Sequence, residues 1–216
     1  MVKKFKAAYP NVTVDSAELS PVEGVYEIIS GDRIAYYYPE KDILIAGNMI
    51  QKGTNLTRER IIARQTEKGK AIPIEKAIKI GSGKHQVIEF TDPDCPHCRS
   101  AFNYFNMRSD ITKYVFLLPL ASLHPQAEAK AKYVFNADDT VKAYKEVLSG
   151  GLDKIDLRQK KFSEKANARF SEQQKIAKEF GVNSTPIFWI NGQYVQGADL
   201  RMFDRILGKN VDMKDP

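Results

Sequence analysis

The stretch that decides the fold of this chain is Val87-Ile88-Glu89-Phe90-Thr91-Asp92-Pro93-Asp94-Cys95-Pro96-His97-Cys98-Arg99. In it, an apolar run leads through a short turn to a Cys-x-x-Cys pair that opens an amphipathic helix. These are the only two cysteines among 216 residues. Such a pair, placed directly after a predicted strand, is typical of a redox motif rather than of a structural disulfide.

The position of the two cysteines predicts their roles. A thiolate is the attacking species, and the free N–H groups and positive dipole end of a helix N-terminus favour that anion. We therefore expect Cys95 to be the nucleophile and Cys98, one turn further on, to be the resolving thiol. Pro96 suits a first helical turn, where no backbone donor is needed. His97, when protonated, would lower the pKa of Cys95 further.

Two other interpretations of the cysteine pair are weaker. A tetrahedral zinc site needs four ligands, but the chain has no second cysteine pair and offers only His85, His97 and His124 as further nitrogen ligands. A structural disulfide that closes so short a loop would remove little entropy from the unfolded chain. The pair therefore favours redox chemistry, and no metal or organic cofactor is implied.

Composition and charge exclude several other classes. The chain is 43% hydrophobic, enough for real cores, and its length suits two small domains. Its formal charge of +6 is spread along the sequence, so no dense basic face indicates nucleic-acid binding. No apolar run approaches the length of a membrane span. The N-terminus lacks the apolar core of a secretory signal, so we expect either a cytosolic protein or a mature segment with a start Met.

Residues 1–56 predict a small antiparallel sheet. Its strands would be Val25–Ile29, Arg33–Tyr38 and Ile43–Ile50, with a hairpin turn at Ser30-Gly31-Asp32 between the first two. So small a sheet buries too little to stand alone, and its edges invite pairing with another chain. We expect the segments Tyr36–Tyr38 and Ile43–Ile45 to expose apolar surface, which predicts a dimerisation domain.

Residues 57–71 predict a charged linker helix, and residues 72–216 a second domain. We expect that domain to run strand, redox helix, strand, a helical block over residues 125–180, hairpin and last helix. Within the block, Ser171-Glu172-Gln173-Gln174 resembles a capping box that opens a helix. Pro186–Val195 contains Asn191-Gly192, a strong hairpin signal, and Asp199 precedes the last helix as its cap. The predicted fold class is α+β.

The motif around Cys95, together with Gly181-Val182-Asn183-Ser184-Thr185-Pro186 far downstream, resembles the DsbC/DsbG family of bacterial thiol–disulfide interchange proteins. The resemblance extends over nearly the whole chain. It implies an N-terminal dimerisation domain, a linker helix and a thioredoxin fold with a helical insertion. It also implies that the Thr185–Pro186 bond is cis, lies against Cys95 and offers a backbone edge to a substrate strand. Without the resemblance, Pro186 would be an ordinary strand start.

Glu89 is the other residue with a predicted role. An acid on a strand buried on both faces is costly unless it is paired or protonated. In enzymes with the thioredoxin fold, an acid at this place relays the proton of the resolving thiol, which implies such a role for Glu89 toward Cys98. The alternative is that Glu89 lies near the sheet edge and meets a lysine such as Lys84.

Two features depart from the family pattern. The Pro96-His97 dipeptide is typical of the DsbA oxidases and predicts a more oxidising couple. The additional structural cysteine pair of some DsbC catalytic domains is missing. We weigh the two-domain layout more heavily than the dipeptide.

The resemblance implies a periplasmic, homodimeric disulfide isomerase and reductase that acts on misfolded proteins. A membrane thiol reductase of the DsbD type would keep it reduced. The first alternative is a dithiol oxidase that introduces disulfides. The second is a non-enzymatic holdase, whose apolar cleft would bind unfolded chains without needing its cysteines.

Overall fold

A computed structural model of the protein describes residues 1–31 and 33–208. The chain divides into two compact units, Met1–Glu67 and Lys68–Pro216. Asp32 of the predicted hairpin turn and residues 209–216 of the predicted second domain lie outside the described residues. The proposed domain limits at residues 56, 71 and 72 remain predictions.

The first unit contains an antiparallel sheet. One helix precedes the strands in the sequence and another follows them. The sheet has four strands in the order β1-β2-β3-β4, and a separate two-stranded ribbon joins β5 to β6. The elements are α1 (Val2–Ala8), β1 (Ser16–Leu19), β2 (Tyr26–Ser30), β3 (Arg33–Tyr38), β4 (Ile43–Ile45), β5 (Ile50–Gln51), β6 (Thr54–Asn55) and α2 (Leu56–Gly69). A helix, α2, is thus present where the sequence predicts the linker helix, and its role as a linker stays a prediction.

The sequence analysis did not predict α1 or β1. It also predicted a third strand that is longer than β4, the strand found at that place. β4 ends at Ile45 and β5 begins at Ile50, so the predicted continuous strand Ile43–Ile50 is wrong over residues 46–49. α1 escapes periodicity analysis because this short helix buries a single side chain, Phe5. A helix of two turns with one buried residue shows no repeat that a sequence pattern could reveal.

The predicted exposure of the tyrosines in β3 is also wrong for two of them. Tyr36 and Tyr37 are buried, whereas the sequence predicted them to be exposed. The Phe5 ring packs edge-on against the Tyr37 ring, with 5.1 Å between centroids. The hydroxyl groups of Tyr36 and Thr57 share a buried hydrogen bond. Contacts from α1 and from the start of α2 therefore cover residues that the isolated sheet would expose.

The prediction of exposed apolar surface is correct for β4. This strand lies at the edge of the sheet, and Ile43 and Ile45 are 45% and 47% exposed. Ile50 of β5 is 58% exposed. An edge strand with apolar side chains in solvent is an unusual feature for a protein that works alone.

The second unit is a five-stranded sheet with helices, in the strand order β11-β10-β8-β9-β7. Strands β8 and β9 are parallel, and the other neighbouring pairs are antiparallel. The elements are β7 (Ile78–Ile80), β8 (His85–Thr91), α3 (Pro96–Asn106), β9 (Ile111–Leu117), α4 (Ala127–Asn136), α5 (Thr140–Leu148), α6 (Glu164–Glu179), β10 (Ile187–Ile190), β11 (Gln193–Gln196) and α7 (Leu200–Leu207).

The central strand β8 ends at the redox turn. Its residues Val87–Thr91 are all buried, as its continuous apolar run predicts. The hairpin β10–β11 forms as expected, because Asn191 and Gly192 both adopt the positive φ that a tight hairpin turn requires. Asp199 caps α7 by accepting the backbone N–H of Met202 at 3.0 Å.

The predicted helical block over residues 125–180 is three helices with a long loop, residues 149–163, between α5 and α6. The cap of α6 is Ser163, whose hydroxyl accepts the backbone N–H of Ala166. The predicted capping box at Ser171 is wrong, since Ser171 lies inside α6. A Ser-x-x-Gln pattern occurs by chance within polar helices, and here Ser163 lacks the acid or amide three residues later that would have identified it.

Candidate redox site

Cys95 is the N-cap residue of α3, with an extended backbone, and Pro96 occupies the first helical turn. Both cysteines carry free thiols. Cys95 is 6% exposed, whereas Cys98 is completely buried. The side chain of Cys95 at the helix start is thus slightly exposed, whereas that of Cys98 lies fully inside.

The two thiols have opposite acid–base properties. The pKa of Cys95 is lowered to about 5, first by a hydrogen bond from the Cys98 thiol and then by the backbone N–H groups of Cys98 and His97. Burial and the charge of Asp92 act in the other direction. The pKa of Cys98 is raised, first by burial and then by its hydrogen bond with Cys95. A stable thiolate at Cys95 beside a neutral thiol at Cys98 suits the predicted roles of nucleophile and resolving group.

His97 contributes through its backbone. The N–H of His97 lowers the pKa of Cys95, while the side chain of His97 is exposed. A charge in solvent acts weakly because water and salt screen it. The predicted effect of the imidazolium on the thiolate therefore remains a prediction, and we expect it to be small.

The loop before β10, which is distant from Cys95 in sequence, lies next to the sulfur of Cys95. The peptide bond between Thr185 and Pro186 is cis, and the carbonyl oxygen of Thr185 lies 3.8 Å from the sulfur of Cys95. The hydroxyls of Ser184 and Thr185 are buried and have no hydrogen-bond partner among the described residues. The two motifs that carried the resemblance are therefore brought together, and polar groups next to Cys95 remain available.

Glu89 lies on the central strand and is completely buried, so the alternative position at the sheet edge is wrong, although Glu89 does meet a lysine, Lys113 rather than Lys84. Its carboxylate pairs with Lys113 of β9, with 3.1 Å between Oε2 and Nζ. Lys113 also donates to the hydroxyl of Tyr144 at 2.9 Å. Burial, followed by the charges of Glu89 and Cys98, raises the pKa of Tyr144 well above its ordinary value. The Tyr144 hydroxyl, 3.5 Å from Glu89 Oε2, therefore lies close to both Glu89 and Cys98.

Sequence reasoning missed Lys113 and Tyr144. Lys113 stands in a strand whose other residues are mostly apolar, and that isolated charge is the one signal it offered. Tyr144 lies on α5 in the helical block, 55 residues from Glu89, and nothing in its local pattern distinguishes it from a core residue. Both are brought to Glu89 by packing over a long sequence separation.

Asp92 is a further residue that the sequence did not reveal. Its buried carboxylate accepts the backbone N–H groups of Asp94 at 2.8 Å and Leu120 at 2.6 Å. His124 Nδ1 lies 3.0 Å from the same carboxylate. The backbone N–H of Asp92 donates to the sulfur of Cys98 at 3.3 Å. Asp92 thus ties the redox turn to the segment that follows β9.

The histidines weighed as zinc ligands have other neighbours. His85 Nδ1 lies 2.9 Å from the side-chain amide of Asn191, and His124 faces Asp92. Within residues 1–31 and 33–208, no group of three or more His, Cys, Asp or Glu side chains is arranged to hold a metal ion. In the same part of the chain, no helix is long and apolar enough to cross a membrane.

Comparison with known proteins agrees with this geometry. A thioredoxin-like domain family model matches residues 74–207, and the model of the disulfide bond isomerase N-terminal domain matches residues 1–58. The crystal structure of a disulfide interchange protein from Neisseria gonorrhoeae is 31% identical, with a TM-score of 0.50, over 63% of this chain and 96% of that one. The chain belongs to the DsbC family of thiol:disulfide interchange proteins.

Curated DsbC proteins of Bordetella are more distant. A probable DsbC of Bordetella avium is 29% identical over 63% of this chain and 50% of its own length. One from Bordetella pertussis is 24% identical over 91% of this chain and 68% of its own length. The matches therefore span from half to about two thirds of these relatives. The crystal structure of the thiol-disulfide exchange protein α-DsbA2 from Wolbachia pipientis, at 17% identity and a TM-score of 0.52, shares its fold with this chain over 70% of this chain and 97% of that one.

Proposed function

We propose that this protein is a disulfide isomerase and reductase that acts on misfolded secreted proteins through Cys95. The Cys95 thiolate attacks one sulfur of a substrate disulfide. A new S–S bond forms between enzyme and substrate, and the other substrate sulfur leaves as a thiolate. A substrate thiolate then attacks the mixed disulfide and regenerates the Cys95 thiolate, which is isomerisation without net electron transfer. Alternatively Cys98 attacks Cys95, which releases a reduced substrate and leaves the enzyme with a Cys95–Cys98 disulfide.

The observation that carries this proposal is the contrast between the two thiols at one helix start. A pKa of about 5 makes Cys95 a thiolate at neutral pH, whereas the raised pKa of the buried Cys98 keeps it protonated. A mixed disulfide therefore survives long enough for a substrate thiol to compete with Cys98. The carbonyl of Thr185 beside Cys95 supports pairing of an extended substrate segment with the loop at Thr185–Pro186.

Glu89 would serve the second step. Cys98 must lose its proton to attack Cys95, and it is buried without direct access to bulk water. Tyr144 lies close to Cys98 and has its hydroxyl 3.5 Å from Glu89 Oε2, and Glu89 Oε1 has no hydrogen-bond partner among the described residues. A carboxylate with one unpaired oxygen in this neighbourhood supports its use as the proton acceptor for Cys98.

The first unit would form a homodimer. Its match to the disulfide bond isomerase N-terminal domain and the exposed Ile43 and Ile45 on the edge strand β4 both support this assembly. Pairing two identical edges would satisfy the free backbone groups of β4 and remove these side chains from water. A dimer would offer two Cys95 sites to one unfolded chain.

The redox chemistry requires a compartment and a partner. Disulfide exchange on secreted proteins takes place in an oxidising compartment, so we place the protein in the periplasm. Reduction of the Cys95–Cys98 disulfide after each reductive turnover needs an external dithiol. A membrane thiol reductase of the DsbD type would supply it.

The test is refolding of a scrambled multi-disulfide protein with the reduced enzyme and no added oxidant. We expect recovery of native substrate activity with the intact protein and none with Cys95→Ser. The variant separates exchange chemistry from chaperone action, because a holdase would not need the Cys95 sulfur. Equal recovery with both proteins would contradict the proposal.

A second candidate, a dithiol oxidase, is supported by the pKa of about 5 at Cys95. A strongly stabilised thiolate makes the reduced form more stable and the disulfide more oxidising. The Pro96-His97 dipeptide agrees with this. The redox state of the cysteine pair in cells distinguishes the two functions, since an isomerase is held reduced and an oxidase is held oxidised.

A further inference from the structure

Four charged side chains form a cluster beside the redox turn, which we call the turn cluster. Its members come from four segments of the second unit: Asp94 from the turn, Arg99 from α3, Lys130 from α4 and Asp153 from the loop after α5. Two acids face two bases, so the turn cluster is formally neutral. It joins the helical insertion to the residue that directly precedes Cys95.

Arg99 connects the acids of the turn cluster to the backbone carbonyl of Pro93. Its two Nη groups donate to the two carboxylate oxygens of Asp153 at 2.5 and 2.7 Å. Nη2 also donates to Asp94 Oδ1 at 3.0 Å, and Nε donates to the carbonyl of Pro93 at 3.0 Å. Such a two-pronged guanidinium–carboxylate pair is geometrically specific. The turn before Cys95 is therefore held in one shape.

Lys130 is the buried member, with 3% of its side chain exposed. Its ammonium donates to Asp94 Oδ1, and to Asp153 Oδ1 at 2.7 Å. Burying an unpaired lysine charge costs free energy. The ion pairs with the two carboxylates offset this cost for Lys130. Lys130 thus links the helical insertion directly to the acid next to the nucleophile.

The loop after α5 is shaped to bring Asp153 into place. Gly150 adopts a φ of +85°, and a Cβ at this position would lie 2.9 Å from Asp153 Oδ2. A residue other than glycine would be strained there and would crowd the carboxylate. The pKa of Asp153 is lowered, first by its hydrogen bond with Arg99 and then by Lys130, against the effect of burial. The insertion therefore contributes a permanently ionised partner to the turn cluster.

We infer that Lys130 is a positioning residue for the disulfide exchange: together with Arg99 it keeps Asp94, the residue directly before Cys95, fixed and electrically compensated. Without Lys130, Arg99 alone would face Asp94 and Asp153, and the turn cluster would carry one net negative charge at the helix end that stabilises the thiolate. The helical insertion would then be part of the redox site and would help to set the nucleophile's charge state.

This inference rests on the proposed function only in taking Cys95 as the nucleophile. Its test is titration of the Cys95 thiolate by absorbance in the reduced protein. Both cysteines are kept, because the Cys98 thiol itself lowers the pKa of Cys95. We expect Lys130→Met, which keeps a long side chain without its charge, to raise the pKa of Cys95 by about 0.5 to 1 unit. The fraction of thiolate well below that pKa falls about three- to tenfold.

Three further variants separate this effect from simple disruption. Lys130→Arg keeps the charge and should restore most of the wild-type pKa. Lys130→Met combined with Asp94→Asn makes the turn cluster neutral again and should also restore the pKa of Cys95. Lys132→Met is the matched control, since Lys132 lies on the same helix and pairs with Glu128 at 2.7 Å, away from the turn cluster. It should leave the pKa of Cys95 unchanged.

The inference is overturned if Lys130→Met leaves the pKa of Cys95 unchanged. It is also overturned if the added Asp94→Asn fails to restore the pKa, because the effect would then not act through Asp94. If Lys130→Met does not fold, the double variant and Lys130→Arg are compared with Asp94→Asn alone, and equal pKa values throughout contradict the inference. An ordinary Cys95 pKa in the wild-type protein contradicts the proposed nucleophile instead.

Discussion

The two units of this protein differ in how they distribute polar and apolar side chains. The first unit exposes Leu19, Ile43, Ile45 and Ile50 at its surface. The second unit buries charged groups around its redox turn, among them Glu89, Asp92, Lys113 and Lys130. The first pattern is typical of a surface that another chain covers, and the second is typical of a site where charge is used for chemistry.

Buried charges and exposed apolar side chains have different free-energy costs. Burying a charge costs free energy, and each of these buried groups is offset by a partner, such as Lys113 for Glu89 and His124 for Asp92. Exposed isoleucines cost little in a monomer but leave free energy to be gained on association. Under the proposed function, we expect the second unit to carry the chemistry by itself and the first unit to serve in an assembly.

The largest effect should come from removing residues 1–56. We expect the truncated protein to be a monomer by light scattering and to retain dithiol reductase activity. Its isomerase activity should fall about tenfold or more, because two linked sites raise the effective concentration of Cys95 at one substrate. A full-length protein that is a monomer at micromolar concentration, or a truncated one that isomerises equally well, would favour the oxidase.

A milder change sharpens the same comparison. Ile43→Ser combined with Ile45→Ser keeps the first unit but removes apolar area from the edge strand β4. We expect weaker dimerisation and an unchanged pKa of Cys95, since no residue of the turn cluster is altered. Full dimer stability in this double variant would place the association surface elsewhere on the chain.

The second effect concerns the buried acid of the catalytic unit. If Glu89 accepts the proton of Cys98, Glu89→Gln should slow resolution of the mixed disulfide about tenfold or more while changing its formation little. Stopped-flow measurement of the two steps tests this. The matched control is Glu27→Gln in the first unit, because Glu27 is also buried and pairs with Arg60 at 3.1 Å. Equal slowing of both steps would indicate a structural role for Glu89.

The smallest effect concerns pH and His97. The thiolate is the reactive form, so the rate of attack by Cys95 should be constant well above its pKa of about 5 and fall about tenfold per pH unit below it. A protonated His97 stabilises the thiolate, so His97→Gln should raise this pKa. Because the ring is exposed, we expect a shift of about half a unit or less. If His97→Gln raises the pKa of Cys95 more than Lys130→Met does, the exposed imidazole affects the thiolate more than the buried lysine, contrary to our expectation.

The elements around Cys95 were predictable because their signals are local. A continuous apolar run, the Cys-x-x-Cys spacing and the Asn191-Gly192 turn each specify backbone structure within a few residues. The same reasoning failed for α1 and for the start of α6. In those places the local pattern is weak, and contacts with distant residues such as Tyr37 decide the outcome.

Much of the site could not be predicted for a related reason. Glu89 stood out as an acid in an apolar strand, but its partners come from β9 and α5. Asp94 and Lys130 are 36 residues apart, and no sequence rule pairs a turn acid with one lysine among many on polar helices. Burial distinguishes Lys130 from Lys132, and burial is known only once α4 is packed.

The sequence by itself determined the family, the redox pair and the order of the main elements, because these depend on residue types at short spacing. Only the tertiary structure decided which charges surround Cys95, that Thr185 touches it, and which apolar side chains stay exposed. Electrostatic and packing free energies depend on distance in space and on access to water, and neither quantity is a function of separation along the chain.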